Sequence, residues 1–254
     1  MAAKVISFGI QKGGAAKTTS SGITAYLLSQ LSHRVLVVDM DSQGNITELL
    51  TQQDIYSFHG KTVLEALKDR DASKYIHRVT DNLHLMTAED LLATFPRYLY
   101  TEYKGNKSLV LRETLESVRE DYDYIIIDTP PALGDQTINA LSASDAVVIM
   151  FESSKFCYSA LERFIETVGH VKEMVNPDLK IAGILRTIVD VRRSDAKAFV
   201  ELIEEEYPDM AFETVITRKA QTGRLTIHGF KDNPELKLAV QQYQDFIKEL
   251  IDRV

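Results

Sequence analysis

Short apolar runs, several ending in an acid or a glycine-rich loop, alternate with helical segments, and this alternation restricts the fold more than any other feature of the chain. Residues 4–10, 34–39, 83–87, 124–128, 146–151, 180–189 and 212–216 read as strands. Residues 18–31, 108–121, 158–175, 194–207 and 235–254 read as helices. Continuous β-branched runs separated by helices are the pattern of βαβ units. The expected class is α/β: a mainly parallel, twisted sheet with helices on both faces. Ligands of such sheets sit beyond the carboxyl ends of the strands. The loops after Phe8, Val38, Ile127 and Val189 are therefore where chemistry is expected.

Composition narrows the function classes. At 254 residues the chain can bury a core without a disulfide or metal staple. We expect residues 1–254 to form one domain. Cys157 is the sole cysteine, which excludes an internal disulfide framework and a four-cysteine metal site within the chain. No apolar run approaches the ~20 residues of a membrane span, and residues 1–10 lack the pattern of a signal peptide. A cytoplasmic protein with no membrane partner is the expectation. The net charge of −8 argues against binding nucleic acid through bulk charge, so any such binding needs a local patch.

The first strand runs into Gln11-Lys12-Gly13-Gly14-Ala15-Ala16-Lys17-Thr18-Thr19 and then a helix. The phosphate-loop pattern G-x-x-x-x-G-K-[ST] is only half met, since Gln11 and Ala16 stand at the glycine positions. Free N–H groups at a helix start still form an anion site, with Lys17 able to reach β- and γ-phosphates and the Thr18 hydroxyl able to hold Mg²⁺. A glycine-rich turn before a core helix fits the loop alone. Ala16 costs on the order of 1 kcal/mol relative to glycine if its position requires a positive φ.

The second strand ends in Asp39-Met40-Asp41-Ser42-Gln43-Gly44-Asn45, two carboxylates two residues apart. One can organise Mg²⁺ or its waters and the other can position an attacking water, although a solvated turn uses the same residue types. The run 124–127 ends in Asp128-Thr129-Pro130-Pro131, a carboxylate placed to meet Mg²⁺ through water.

Taken in order, these loops resemble the deviant Walker A ATPases of the ParA/MinD family. The resemblance covers most of the chain, through Lys12-Gly13-Gly14-x-x-Lys17-Thr18-Thr19, Asp39-x-Asp41-Ser42-Gln43-Gly44-Asn45, and Asp128 with the 129–141 stretch. Ser42 replaces the family's proline, and residues 132–141 resemble the family's switch II stretch, which implies a hinge at Gly134. The resemblance implies a P-loop NTPase-like fold, ATP and Mg²⁺ as cofactors, and a nucleotide site at Lys12, Gly13, Gly14, Ala15, Ala16, Lys17, Thr18 and Thr19. It implies Mg²⁺ at Thr18 and Asp128, and catalytic roles for Lys17, for Asp41 on the attacking water, and for Lys12. Lys12 is the signature lysine, expected to touch the nucleotide of the partner in an ATP-bound homodimer. A first strand starting at residue 4 points to the small form, without an N-terminal helix-turn-helix domain.

The likeness thins after residue 187. Thr187-Ile188-Val189-Asp190-Val191-Arg192 is similar to a T-x-x-D-x-R stretch, and residues 216–219 are similar to a segment ending I-P-R-N, with Thr217 at the proline. Thr217 and Arg218 are the implied base contacts. Residues 214–231 carry Arg218, Lys219, Arg224 and Lys231 and no acid, and Arg192, Arg193 and Lys197 form a second cluster. Arg192, Arg193, Arg218, Lys219 and Arg224 are the DNA-binding candidates, for sequence-independent phosphate contacts. A solvated basic face is the other reading. The last segment nets close to neutral charge and lacks the basic face of a membrane-surface helix. The expected activity is DNA partition by slow ATP hydrolysis, stimulated by a ParB-like DNA-bound adaptor, at the nucleoid. The alternatives are the same cycle applied to a non-DNA cargo, or a weakly hydrolysing regulator.

Overall fold

The computed structural model describes residues 2–190 and 192–254. Its strands are β1 (Lys4–Gly9), β2 (Val35–Asp39), β3 (His77–Arg78), β4 (Leu83–Met86), β5 (Tyr124–Asp128), β6 (Ala146–Glu152), β7 (Lys180–Val189) and β8 (Ala211–Thr217). Its helices are α1 (Lys17–Gln30), α2 (Asn45–Thr51), α3 (Val63–Asp69), α4 (Phe95–Thr101), α5 (Val110–Glu116), α6 (Asp135–Ala143), α7 (Lys155–Met174), α8 (Ser194–Glu206), α9 (Ala220–Gly223), α10 (Leu225–His228), α11 (Leu236–Val240) and α12 (Tyr243–Arg253).

The strands form one sheet in the order β3-β4-β2-β5-β1-β6-β7-β8. Every pairing is parallel except the short β3–β4 contact at one edge. The expected α/β architecture is therefore the observed one. Alternate side chains of a strand point to opposite faces, and the core divides accordingly. Val35, Val37, Ile126, Ile6 and Phe8 join one apolar cluster with Ile23 and Leu28 of α1 and Phe246 and Leu250 of α12. Leu36, Val38, Ile125, Ile127 and Val5 join the other with Leu64 and Leu67 of α3 and Val110 and Leu115 of α5.

Two expected elements change shape. The helix read over residues 108–121 is confined to α5, and the closing helix is interrupted at Gln241–Gln242, between α11 and α12. β1, β2 and β5 lie side by side in the sheet centre. Their carboxyl ends, at Gly9, Asp39 and Asp128, open on one edge. That is the geometry the three loops require.

Candidate nucleotide site

The segment between β1 and α1 turns sharply enough to need left-handed backbone twice. Gly14 has φ 79°, and Ala16, the residue capping α1, has φ 59° and ψ 25°. Glycine adopts such angles freely, whereas alanine does so against its own Cβ. The anticipated strain at Ala16 is thus present. No side chain caps α1 and no acid stands in its first turn, and Ala16, Lys17, Thr18 and Thr19 line the cavity in front of the loop. Ala15 is fully buried, and its carbonyl accepts the Thr187 hydroxyl at 3.2 Å. Ala15 does not line that cavity, unlike Gly13, Gly14, Ala16, Lys17, Thr18 and Thr19.

Lys17 is buried, and its Nζ donates to the carbonyl oxygen of Lys12 at 2.9 Å. The loop therefore folds over its own lysine. Burial pulls the Lys17 pKa down from the ordinary lysine value, against the raising pull of Asp128 and Asp41. Thr18 Oγ1 donates to Asp128 Oδ2 at 2.8 Å, and Ser21 Oγ to Asp128 Oδ1 at 3.0 Å. The expected pair of metal-site residues is in direct contact. Asp128 is fully buried, and this desolvation raises its pKa to about 6 in spite of both hydroxyls and Lys17.

Asp39 and Asp41 divide the labour of the second loop. Asp39 is buried, and its carboxylate accepts Asp41 N–H at 3.1 Å, Thr47 N–H at 3.2 Å and the Thr47 hydroxyl at 2.7 Å. It ties the loop together from inside. Burial, followed by the charge of Asp128, raises its pKa well above the carboxylate range. Asp41 instead lines the cavity, with Gly13, Gly14, Lys17 and Thr18. Gly44 needs its glycine: φ is 62°, and a Cβ there would sit 2.9 Å from the Ala88 carbonyl oxygen. Gly134 has φ −111°, which any residue adopts, so the backbone does not demand glycine at the proposed hinge.

The cavity holds about 700 Å³ and is also lined by Gln43, Pro130, Pro131 and Ile188. A second pocket of about 560 Å³ shares Ala16 and Ile188 and is walled by Thr217, Arg218 and Tyr243. Ile188 stands between them with φ 55°, a genuine outlier for a β-branched residue. The base-contact candidates thus flank the phosphate loop. Val191 of the 187–192 stretch lies outside the described residues.

Lys12 is held within its own chain. Its ammonium pairs with the Glu152 carboxylate at the end of β6 and donates to Ser154 Oγ at 3.0 Å. Glu152 and Ser154 were not expected from the sequence. Only the serine had a local signal, as the residue capping α7. The DNA-binding candidates separate into two groups. Arg192 pairs with Asp190, Arg193 with Asp195, and Arg224 with Glu235 through two bonds of 2.8 and 2.7 Å. Among the described residues, Arg218 and Lys219 make no ion pair. No described helix is long and apolar enough to cross a membrane.

Residues 3–181 match the family described as an AAA domain. The chain is 35% identical over 233 residues to the sporulation initiation inhibitor protein Soj of Bacillus subtilis, covering 89% of this chain and 88% of that one. A plasmid partition protein of Borrelia burgdorferi superposes with a TM-score of 0.78 at 26% identity, covering 100% of this chain and 100% of that one. Cobyrinic acid a,c-diamide synthase of Mycobacterium smegmatis, with an ATP analogue and magnesium, gives 0.84 at 26% identity over 98% of this chain and 94% of that one. With this sheet order, this loop and these relatives, the chain belongs to the ParA-type ATPases.

Proposed function

We propose that residues 1–254 work as one ATPase domain of a DNA-partition system, an ATP-driven switch between a free monomer and a DNA-bound dimer. The observation that carries the reading is the convergence of Lys17, Thr18, Asp41 and Asp128 at the mouths of three adjacent strands. The site fits its cofactors. Leading amides of α1 suit phosphate oxygens. Buried Asp39 and Asp128 lie beside each other with Lys17 near them, and a divalent cation would stabilise the charged carboxylates that burial disfavours. Among the described residues no three acids, histidines or cysteines form a metal cage. Mg²⁺ keeps several waters and shares phosphate ligands, so the Thr18 hydroxyl and the Asp128 carboxylate are a sufficient protein share of its shell.

Thr18 and Asp128 would hold Mg²⁺, whose charge supplies neutralisation of the phosphates. Lys12, Gly13, Gly14, Ala15, Ala16, Lys17, Thr18 and Thr19 would cradle the triphosphate. Lys17 exchanges the Lys12 carbonyl for phosphate oxygen, Asp41 orients the attacking water, and Thr217 and Arg218 border the base. Lys12 leaves Glu152 and Ser154 to reach the partner's nucleotide in an ATP-bound homodimer. The dimer doubles the phosphate contacts available to DNA, and a ParB-like adaptor ends the state by stimulating hydrolysis. Arg218 and Lys219 are the cations ready for DNA, whereas Arg192, Arg193 and Arg224 would first exchange their carboxylate partners. That pairing favours, as a second reading, the same cycle acting on a non-DNA cargo.

ATP turnover and DNA mobility shifts test the choice. The partition reading expects duplex of any sequence to be retained with ATP and released with ADP. Turnover should rise when DNA and the adaptor are added together. Hydrolysis without ATP-dependent retention of DNA would transfer the protein to the second reading. Asp41→Ala should cut turnover by roughly 10²–10⁴-fold while leaving ATP binding intact. Unchanged turnover would remove Asp41 from its role.

A further inference from the structure

Thr217 closes β8 where the sheet holds it least. The β7–β8 pairing shifts register twice, between Ile184 and Arg186 and between Arg186 and Val189, before Val189 meets Thr217. The Thr217 N–H does not enter the sheet. It donates to Gln242 Oε1 at 2.9 Å, and the Thr217 hydroxyl donates to the same oxygen at 2.7 Å. Gln242 Nε2 donates back to the Thr217 carbonyl at 3.2 Å. One side chain thus engages the N–H, the hydroxyl and the carbonyl of one residue. The next residue along, Tyr243, is fully buried and shares a 2.9 Å hydrogen bond with Ser20 of α1. The two residues at the α11–α12 break therefore brace opposite sides of the pocket beside the phosphate loop, one through β8 and the other through α1.

Building on the nucleotide site proposed above, we infer that Gln242 is a positioning residue for the nucleotide base. It fixes the Thr217–Arg218 wall against which the base rests. It has no part in holding the triphosphate. The Thr217 hydroxyl is engaged with Gln242, so this residue shapes the pocket through its backbone. The same geometry explains how threonine stands where the sequence pattern has proline. Proline brings no N–H, whereas threonine brings one that would be left without a partner, and Gln242 accepts it. Because that N–H lies outside the ladder, proline at 217 would break no sheet bond, and Ile216 before it is already extended, as proline requires.

The experiment compares two probes, a non-hydrolysed ATP analogue and inorganic tripolyphosphate, each titrated calorimetrically with Mg²⁺. In Gln242→Ala the analogue should bind about tenfold more weakly, while tripolyphosphate changes by less than about twofold. Gln242→Glu keeps the acceptor and loses the donor to the carbonyl, so it should fall between wild type and alanine. Thr217→Pro combined with Gln242→Ala should recover most of the lost affinity, since the orphaned N–H is gone. Equal weakening of both probes, no weakening of either, or no recovery in the double variant would each overturn the inference. If Gln242→Ala does not fold, the glutamate and double variants decide by the same criterion. A wild-type protein that binds neither probe would sink the nucleotide reading itself, an outcome distinct from the others.

Discussion

Replacing Asp128 with asparagine should make the nucleotide-free protein more stable above neutral pH while abolishing its chemistry. Burial raises the Asp128 pKa from 3.8 to about 6, so the folded state keeps a proton that the unfolded chain has already lost. Stability from this group is fully present below pH ~4, declines as pH rises from ~4 to ~6, and stays low beyond. At 1.36 kcal/mol per pKa unit, the loss is about 3 kcal/mol. Asparagine never ionises and escapes it. Part of the gain is returned, because the introduced amide must meet hydroxyls that now donate to a carboxylate. Ser21 can turn to its other acceptor, the Lys17 carbonyl 2.8 Å away, so the return is modest and a net gain of about 1–3 kcal/mol is expected. Urea denaturation at pH 5 and pH 8 with chelator present measures it. The variant should exceed wild type at pH 8 and approach it at pH 5. A variant less stable than wild type at pH 8 would refute the claim that ionised Asp128 is carried at a cost.

Three further expectations follow from the geometry. Ala16→Gly relieves a left-handed alanine and should raise stability by about 0.5–1 kcal/mol, read from the thermal midpoint; a lower midpoint would count against strain at this position. Lys12→Ala should retain ATP binding but lose ATP-dependent dimerisation, measured by size exclusion with light scattering; normal dimerisation would remove the role in trans. Arg218→Ala and Lys219→Ala should each flatten the slope of log affinity for duplex against log salt by about one unit. Arg192→Ala, Arg193→Ala and Arg224→Ala should flatten it less, because each arginine is already engaged with a carboxylate and is not free to contact phosphate; equal effects from all five would mean that the ion pairs open freely on DNA.

The strands that carry the site were the legible part of the fold. β5 and β7 lie where their apolar runs place them, and Asp128 ends β5 as read. Continuous apolar runs marked these segments because each is buried on both faces. The region 45–101 was less legible, since α2, α3 and α4 are seven residues each and β3 only two. Segments so short present barely two turns of periodicity. Partners close in sequence were within reach: Asp190 stands two residues before Arg192, and Asp195 two after Arg193. Glu152 lies 140 residues from Lys12, and only the sheet order, which sets β6 beside β1, brings them together. Gln242 was hidden for a different reason. It sits in what reads as an uninterrupted amphipathic helix, and its purpose shows only when the end of β8 is seen beside it.

Asp39 and Asp128 are the last rung of a ladder that starts at Val35 and Tyr124. Their adjacency is thus counted out along two hydrophobic strands before any loop is involved. A one-residue slip of β2 would turn Leu36 and Val38 out of one core and Val35 and Val37 out of the other, and would carry Asp39 away from Asp128. A misfolded chain therefore has no metal site, and a chain that assembles one has passed a test of its folding. The same coupling means that shortening β2 by one residue, far from any phosphate, should be as damaging to hydrolysis as losing an acid.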